Sequence, residues 1–136
     1  MTIEENAGRE VQLVAGASRS SVTAQSEGMQ RYEAVSGATV GASRIWMGES
    51  VLAPDSASSA HHHGDSETGI YVLSGNPSFV FLRDGREVRL DASPGDYVFV
   101  PGFVAHREEN HSLEEPAVVI LARSTQEAIV VNLDHL

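Results

Sequence analysis

The residues of this chain with the clearest capacity for chemistry are its histidines, and three of them, His61, His62 and His63, are consecutive. Neighbouring side chains of a β-strand alternate between its faces, so His61 and His63 share one face while His62 lies on the other. Two imidazoles at this spacing can bind one cation. Glu67 follows a Gly64-Asp65-Ser66 bend that can return its carboxylate to that face. The segment predicts a metal site, and the alternative is a solvent-exposed polar loop.

A second segment with the same potential runs from His106 to Asn110. On an unbroken strand, Glu108 and Asn110 lie two and four residues after His106 and share its face. Glu108 is therefore a candidate catalytic residue, as a general base or as a group that orients a ligand. The alternative is a surface salt bridge with an arginine.

Composition narrows the classes of protein to consider. The chain has no cysteine, which excludes disulfides, thiolate ligands and a cysteine nucleophile. Its 9 basic residues are all arginine and face 19 acidic ones, a formal net charge of −10 that argues against nucleic acid. The acidic first residues and the short VQLVAGA run fit neither a signal peptide nor a membrane span. We expect a soluble, cytoplasmic protein without a membrane partner.

Short runs of β-branched and aromatic residues, separated by turn signals, must position these groups. Gly, Ser, Asp and Pro interrupt the sequence too often for an amphipathic helix. The pattern is typical of an all-β sandwich or barrel, with a hairpin turn at Asp84-Gly85. The predicted strands are Arg31–Val35, Ser43–Leu52, Ser58–His63, Gly69–Leu73, Ser78–Leu82, Glu87–Leu90, Asp96–Val100, His106–Asn110, Ala117–Ala122 and Ala128–Val131.

The first residues differ from the rest of the chain. Residues 1–28 are rich in Gly, Ala and Ser and contain little to bury. We predict that they form an arm that is flexible or exchanged between subunits, and that residues 29–136 form the barrel. The length suits a single domain.

The two histidine segments together resemble the paired motifs of the cupin superfamily. His61-x-His63-x3-Glu67 followed by Tyr71-Val72-Leu73-Ser74-Gly75 resembles the first motif, and Gly95-x5-Pro101-x4-His106-x3-Asn110 resembles the second. The resemblance spans about residues 44 to 122. It implies a small single-domain cupin, a jelly-roll barrel also called a double-stranded β-helix, in which His61, His63, Glu67 and His106 bind one divalent metal.

Two departures from the family pattern concern the site. The family places the motif-one carboxylate seven residues before the glycine, a position that Thr68 occupies here. Either a one-residue bulge returns Glu67 to the inner face, which we favour, or three histidines and water suffice. A register slip would instead make His62 a ligand. In motif two, Phe103 stands where the family tends to have glycine, which would give a substrate an apolar surface.

The sequence predicts a class of metal and a class of substrate, but not the particular metal or molecule. A nitrogen-rich site suits one divalent transition metal, Fe, Zn, Mn, Ni or Cu. Resemblance to small cupins, among them dioxygenases, isomerases, lyases and polyketide cyclases, implies a metal-dependent enzyme for a small organic molecule. Trp46, Phe99, Phe103 and Asn110 are candidate substrate contacts that favour an aromatic or hydrophobic ligand, although core packing is the favoured role of Trp46.

Two alternatives concern the activity, and one prediction concerns the assembly. The same residues suit a non-catalytic module that binds a small ligand or metal. A metal-free, epimerase-like barrel would use a histidine with an acidic partner for proton transfer. Apolar strands with few charges at their edges, and the family resemblance, predict a homodimer.

Overall fold

The regular secondary structure of the described residues is almost entirely β-strand. The computed structural model describes residues 2–125 and 127–136. The only helical segments there are the 3-10 turns Glu4–Asn6 and Gly16–Ser18 and the short helix α1 at Gly37–Val40. The described strands are β1 Met29–Val35, β2 Trp46–Leu52, β3 Ser56–Ala57, β4 Ala60–His62, β5 Thr68–Ser74, β6 Ser78–Arg83, β7 Arg86–Asp91, β8 Tyr97–Val100, β9 Arg107–Asn110, β10 Ala117–Arg123 and β11 Val131–Leu133.

The strands form two main sheets and a small third one. The larger sheet has the order β1-β2-β10-β5-β8, the second has the order β3-β9-β6-β7, and β11 pairs with β4. All strand pairings are antiparallel. This arrangement confirms the prediction of an all-β jelly roll.

Strict alternation along the central strands separates the core from the outer surface. Buried residues fall on every second position of β2 and β10 and of β5 from Thr68 to Val72. Inward side chains from both sheets therefore meet between them, as period-two burial requires. The resulting core contains Trp46, Ile70, Val72, Phe79, Ala92, Val100, Val119 and Leu121.

Most of the predicted strand segments are present, with shifted ends. Asp84 and Gly85 both have positive φ, 52° and 76°, and join β6 to β7, which confirms the predicted hairpin turn. The segment predicted at 128–131 forms a strand only from Val131, because its pairing partner is the short β4. The two-residue β3 was missed.

The segment before β1 makes few regular contacts with the barrel. Ser20 makes an isolated bridge with Glu33 on β1, and Arg19 forms an ion pair with Glu49 at 2.9 Å. The role of this segment as an arm that is flexible or exchanged between subunits stays a prediction. No helix in the described ranges has the length and apolar character needed to cross a bilayer.

Gly48 provides a direct test of core packing. A Cβ at this position would overlap the carbonyl oxygen of Tyr32 and lie 2.7 Å from the Trp46 ring. We expect Gly48→Ala to lower the free energy of unfolding by about 2 kcal/mol, because backbone and ring must both move. Gly69 is the matched control, since a Cβ there meets nothing within 4 Å. Urea denaturation that shows equal effects for Gly48→Ala and Gly69→Ala would contradict this packing.

Candidate metal centre

Three histidines converge inside the barrel, as the strand alternation predicted. His61 lies on β4, His63 follows that strand directly, and His106 immediately precedes β9. One ring nitrogen from each lies within 4.8 Å of the other two. His61 and His106 face each other across a narrow antiparallel bridge, with two N–H···O bonds of 2.9 Å. The backbone thus fixes two of the three rings directly opposite one another.

Backbone carbonyls orient all three rings in the same way. Nδ1 lies 2.8 Å from Ser59 O in His61, 2.8 Å from Ile129 O in His63 and 3.0 Å from Val104 O in His106. A carbonyl can only accept, so each Nδ1 carries the proton and donates. Each Nε2 therefore presents a lone pair, the form in which imidazole binds a metal.

Burial keeps two of these rings neutral. Burial lowers the pKa of His61 to about 4, although the Glu108 carboxylate acts in the opposite direction. Burial, followed by the charge of Arg123, lowers the pKa of His63 to about 2. Burial also lowers the pKa of His106, but Glu108 more than offsets this, so that the pKa is raised. At neutral pH, the lone pairs of His61 and His63 are therefore available without loss of a proton.

Glu108 lies against the same cluster. Its Oε2 is 3.4 Å from Nε2 of His61, and its Oε1 is 3.4 Å from Nε2 of His106. Its backbone N–H and Oε2 both bond to the Ser58 hydroxyl, at 2.9 and 3.1 Å. Burial opposes the ionisation of Glu108. Neighbouring positive groups, of which His106 acts most strongly and Arg31 less, nevertheless hold the pKa of Glu108 well below its usual value. A buried carboxylate thus faces two of the three candidate ligands.

Two buried arginines lie beside the cluster, and the sequence did not single them out as site residues. Arg31 donates from Nη1 to Ser26 Oγ at 3.1 Å and from Nη2 to His61 Nε2 at 3.4 Å. The guanidinium of Arg123 lies 4.8 Å over the Trp46 ring. Both occupy buried positions on their strands, 1% and 2% exposed. That inward position is the signal that could have identified them.

The structure does not bring Glu67 into the cluster. Strand β5 begins at Thr68, whose inward side chain pairs in register with Val100 and Arg123. Glu67 therefore points outward and is exposed, and its backbone bonds to Ser124. The structure has a register irregularity in β5 between Val72 and Ser74, but it leaves Glu67 exposed, contrary to the expectation that a bulge returns this side chain to the inner face.

The candidate substrate contacts are dispersed rather than gathered at the histidines. Trp46 is fully buried in the core. The Asn110 amide donates to three backbone carbonyls, which gives it a structural role. Phe99 and Phe103 are exposed, and Phe103 lies beside the outward His62 with ring centroids 6.0 Å apart. His62 is not part of the cluster, so the register slip does not occur.

An apolar cavity reaches the cluster at His106. It has a volume of about 410 Å³. Its walls come from β6, β7, β8 and the segment before His106, and they include Phe79, Leu90, Val98 and Val104. Phe99 also borders this cavity from its rim. A small ligand there would have one histidine in its wall and apolar groups elsewhere.

A buried nitrogen without a hydrogen bond, and the donor atoms around it, are suited to bind a cation. His106 Nε2 is buried and makes no hydrogen bond within the described residues, despite its 3.4 Å approach to Glu108. Buried polar groups seldom lack partners unless a site requires it. Three imidazole nitrogens and a nearby carboxylate form a donor set that first-row divalent metals accept. The residues present therefore fit a divalent transition metal.

Comparison with known proteins places the chain in a family. The family model described as a cupin domain matches residues 48–123, more than half of the chain. The chain belongs to the cupin family. No curated protein matches it significantly.

Solved structures with the same fold come from a longer enzyme. A mutant of Bacillus subtilis oxalate decarboxylase is similar with a TM-score of 0.70 and 24% identity, over 82% of this chain and 29% of that chain. The pH 4.6 structure of the enzyme has a TM-score of 0.69 and 24% identity, over 80% of this chain and 28% of that chain. A structure from a study of its Mn(II) centres has a TM-score of 0.69 and 24% identity, over 80% of this chain and 29% of that chain. The chain spans less than a third of these proteins, and this likeness shows the fold alone.

Proposed function

We propose that this chain is a metal-dependent enzyme that acts on a small organic molecule, with one divalent transition metal bound by His61, His63 and His106. The observation that carries the proposal is the convergence of three Nε2 atoms, each on a ring whose Nδ1 is held by a backbone carbonyl. This preorganisation lowers the cost of ordering the ligands when a metal binds.

Glu108 is the carboxylate best placed to complete the site, in place of Glu67. It lies 3.4 Å from the candidate metal-binding nitrogens of both His61 and His106. Its lowered pKa keeps it ionised at neutral pH, so it can bind a metal or accept a proton but cannot donate one. Three nitrogens and one oxygen suit Mn, Fe, Zn, Ni or Cu, and the Mn(II) centres of the similar decarboxylase make Mn(II) a first candidate.

The chemistry that such a site supports depends on an open position beside the ligands. A bound metal would act as a Lewis acid that polarises an oxygen of the substrate. The cavity at His106 gives a small molecule access from one side, and its apolar walls exclude water from the ligand. Access of this kind favours catalysis over a closed structural site.

One observation favours the metal-free alternative as a second candidate. Arg31 donates a hydrogen bond to His61 Nε2, the same lone pair that a metal would take. In a metal-free barrel, the His106–Glu108 pair would instead transfer protons. Binding of metal at His61 has to replace the Arg31 hydrogen bond, so the two candidates exclude each other at this atom.

Metal analysis of untagged protein decides between them. We expect about one transition metal per chain by mass spectrometry, and anomalous scattering centred on the three histidines. Oxygen uptake by the Fe(II) form, tested with phenols and diketones, then separates an oxygenase from a non-catalytic binder. A folded preparation that takes up no stoichiometric Mn, Fe, Zn, Ni or Cu would exclude the metal-dependent function.

We also propose a homodimer that covers the outer face of the larger sheet. Met47, Tyr97 and Phe99 are exposed there, Tyr97 by 80%, and they line a groove with the half-buried Tyr71 and Ile120. Contiguous apolar surface of this kind marks protein interfaces. Small-angle scattering should give twice the monomer mass, and a monomer mass would contradict the dimer.

A further inference from the structure

The barrel interior carries an excess of positive charge. Arg31 and Arg123 are both buried, and Glu108 is the only acidic side chain among the buried charged residues that the structure describes. Two cations against one anion leave a net positive charge inside the barrel, and a divalent metal would increase it. A low-dielectric interior does not tolerate uncompensated charge without a counter-ion.

Arg123 is the residue whose charge lacks compensation. Its Nε and Nη1 atoms are buried and have no hydrogen-bond partner among the described residues. The Trp46 ring contacts the face of the guanidinium at 4.8 Å, but this leaves the in-plane N–H groups unused. Burial and then the charge of Arg31 lower its pKa to about 9, so the side chain stays protonated at neutral pH. These N–H groups require an acceptor.

A hydroxyl without a partner lies beside Arg123. Thr68 Oγ1 is buried and unbonded within the described residues, and Thr68 pairs directly with Arg123 across β5 and β10. Directly opposed residues place their Cβ atoms about 5 Å apart on one face. On the other side, Thr68 pairs with Val100, which lines the apolar cavity at His106. This polar pair with unused hydrogen-bonding groups thus lies next to Val100, one strand away from the wall of the apolar cavity.

We infer that Arg123 and Thr68 bind the carboxylate of a small organic acid whose apolar part lies in the cavity beside His106. The inference rests on the proposed function, because it assigns the substrate class of the same chamber. A carboxylate supplies the missing negative charge and accepts from both side chains. The apolar walls suit the body of a monocarboxylic acid better than a phosphate, which would need more donors than one arginine and one threonine offer.

Stability offers a readout that separates binding from a structural role. Removing an uncompensated buried charge by a residue of similar volume is neutral or stabilising. We therefore expect Arg123→Met to melt at or above the wild-type Tm. A purely structural arginine would give the opposite result, a lowered Tm.

The binding experiment uses the full chain with Zn²⁺ bound, benzoate as the probe and benzamide as its neutral counterpart. Affinity is followed by calorimetry and by the fluorescence of Trp46, the only tryptophan, which lies under Arg123. We expect benzoate to bind at least tenfold more tightly than benzamide, because charge-assisted hydrogen bonds discriminate by about 10- to 100-fold. Arg123→Met should abolish this preference, and Thr68→Val should weaken benzoate about 3- to 10-fold. The exposed Arg86→Met is the matched control and should retain the wild-type preference.

Several results would overturn the inference. These are equal binding of benzoate and benzamide, no binding of either, tighter binding of inorganic phosphate than of benzoate, and an undiminished preference in Arg123→Met. If Arg123→Met fails to fold, Thr68→Val and the wild-type comparison still decide the question.

The same titration without metal separates this inference from the proposed function. Metal binding with no benzoate preference refutes the carboxylate site alone. An Arg123-dependent preference in a protein that binds no metal refutes the metal centre alone. A preference that needs metal but survives Arg123→Met means that the carboxylate binds the metal, which also overturns the inference.

Discussion

Replacing His61 with glutamine is expected to lower metal affinity by about 100-fold or more. His61 is fully buried, faces His106 across a backbone bridge and supplies one of three converging nitrogens. The loss of a ligand exceeds the roughly 10- to 100-fold cost of disturbing a group that only orients one. Glutamine still offers Arg31 an acceptor, so the barrel should fold. Competition of Zn²⁺ with a fluorescent chelator measures the affinity.

His62 provides the matched control one residue away. Its Nδ1 accepts from the Gly64 backbone, and its ring lies near Phe103 outside the cluster. His62→Gln should leave the metal affinity within about threefold of the wild type, since its removal changes no ligand. If His62→Gln weakens binding as much as His61→Gln, the inward and outward assignment of this strand is wrong.

Replacing Glu108 with glutamine is expected to lower the free energy of unfolding of the metal-free protein by about 3–5 kcal/mol. Among the described residues the variant removes the only buried acidic side chain, and it leaves the buried His106 and Arg31 without an opposite charge; loss of one partner of a buried charge pair has this magnitude. Because the pKa of Glu108 is lowered in the folded state, its stabilisation is complete above the unfolded pKa of about 4.5 and is lost as the pH falls through the folded value. Urea denaturation at pH 7.5 therefore measures the whole effect.

Glu109 is the control for this prediction, on the opposite face of the same strand. It accepts from Arg107 at 2.8 Å and from His111 at 3.0 Å near the surface. Glu109→Gln should cost less than about 1 kcal/mol, because the partners of this half-buried side chain reach the surface, where water screens the ion pairs. Similar decreases in the free energy of unfolding for both variants would contradict the prediction that the buried charge of Glu108 stabilises the interior.

Periodicity predicted the parts of the site that depend only on strand alternation. The inward positions of His61, His63 and Glu108 follow from a period of two, and each is found buried. The all-β class follows from many short strands and clear turns, of which Asp84-Gly85 is confirmed, whereas the jelly roll was implied by the resemblance to cupins. These features are local, so a single sequence specifies them.

The remaining parts of the site depend on where a strand enters its ladder. Glu67 and Thr68 are adjacent, and one residue of register decides which side chain faces the interior. That register comes from pairing with β8 and β10, which are 26 or more residues away along the chain. Arg31 and Arg123 were overlooked because arginine is seldom buried, although alternation along β10 places Arg123 inward.

The hydrogen bond from His63 to Ile129 links the residence time of a metal to the last residues of the chain. Ile129 lies two residues before β11. This strand has three residues, and among the described strands it pairs only with β4. Such short edges detach locally at much lower cost than global unfolding. Each detachment would free the His63 ring, so the dissociation rate of the metal would follow the opening of β11 rather than the stability of the barrel. Hydrogen exchange at Val131 and metal release should then share one rate constant.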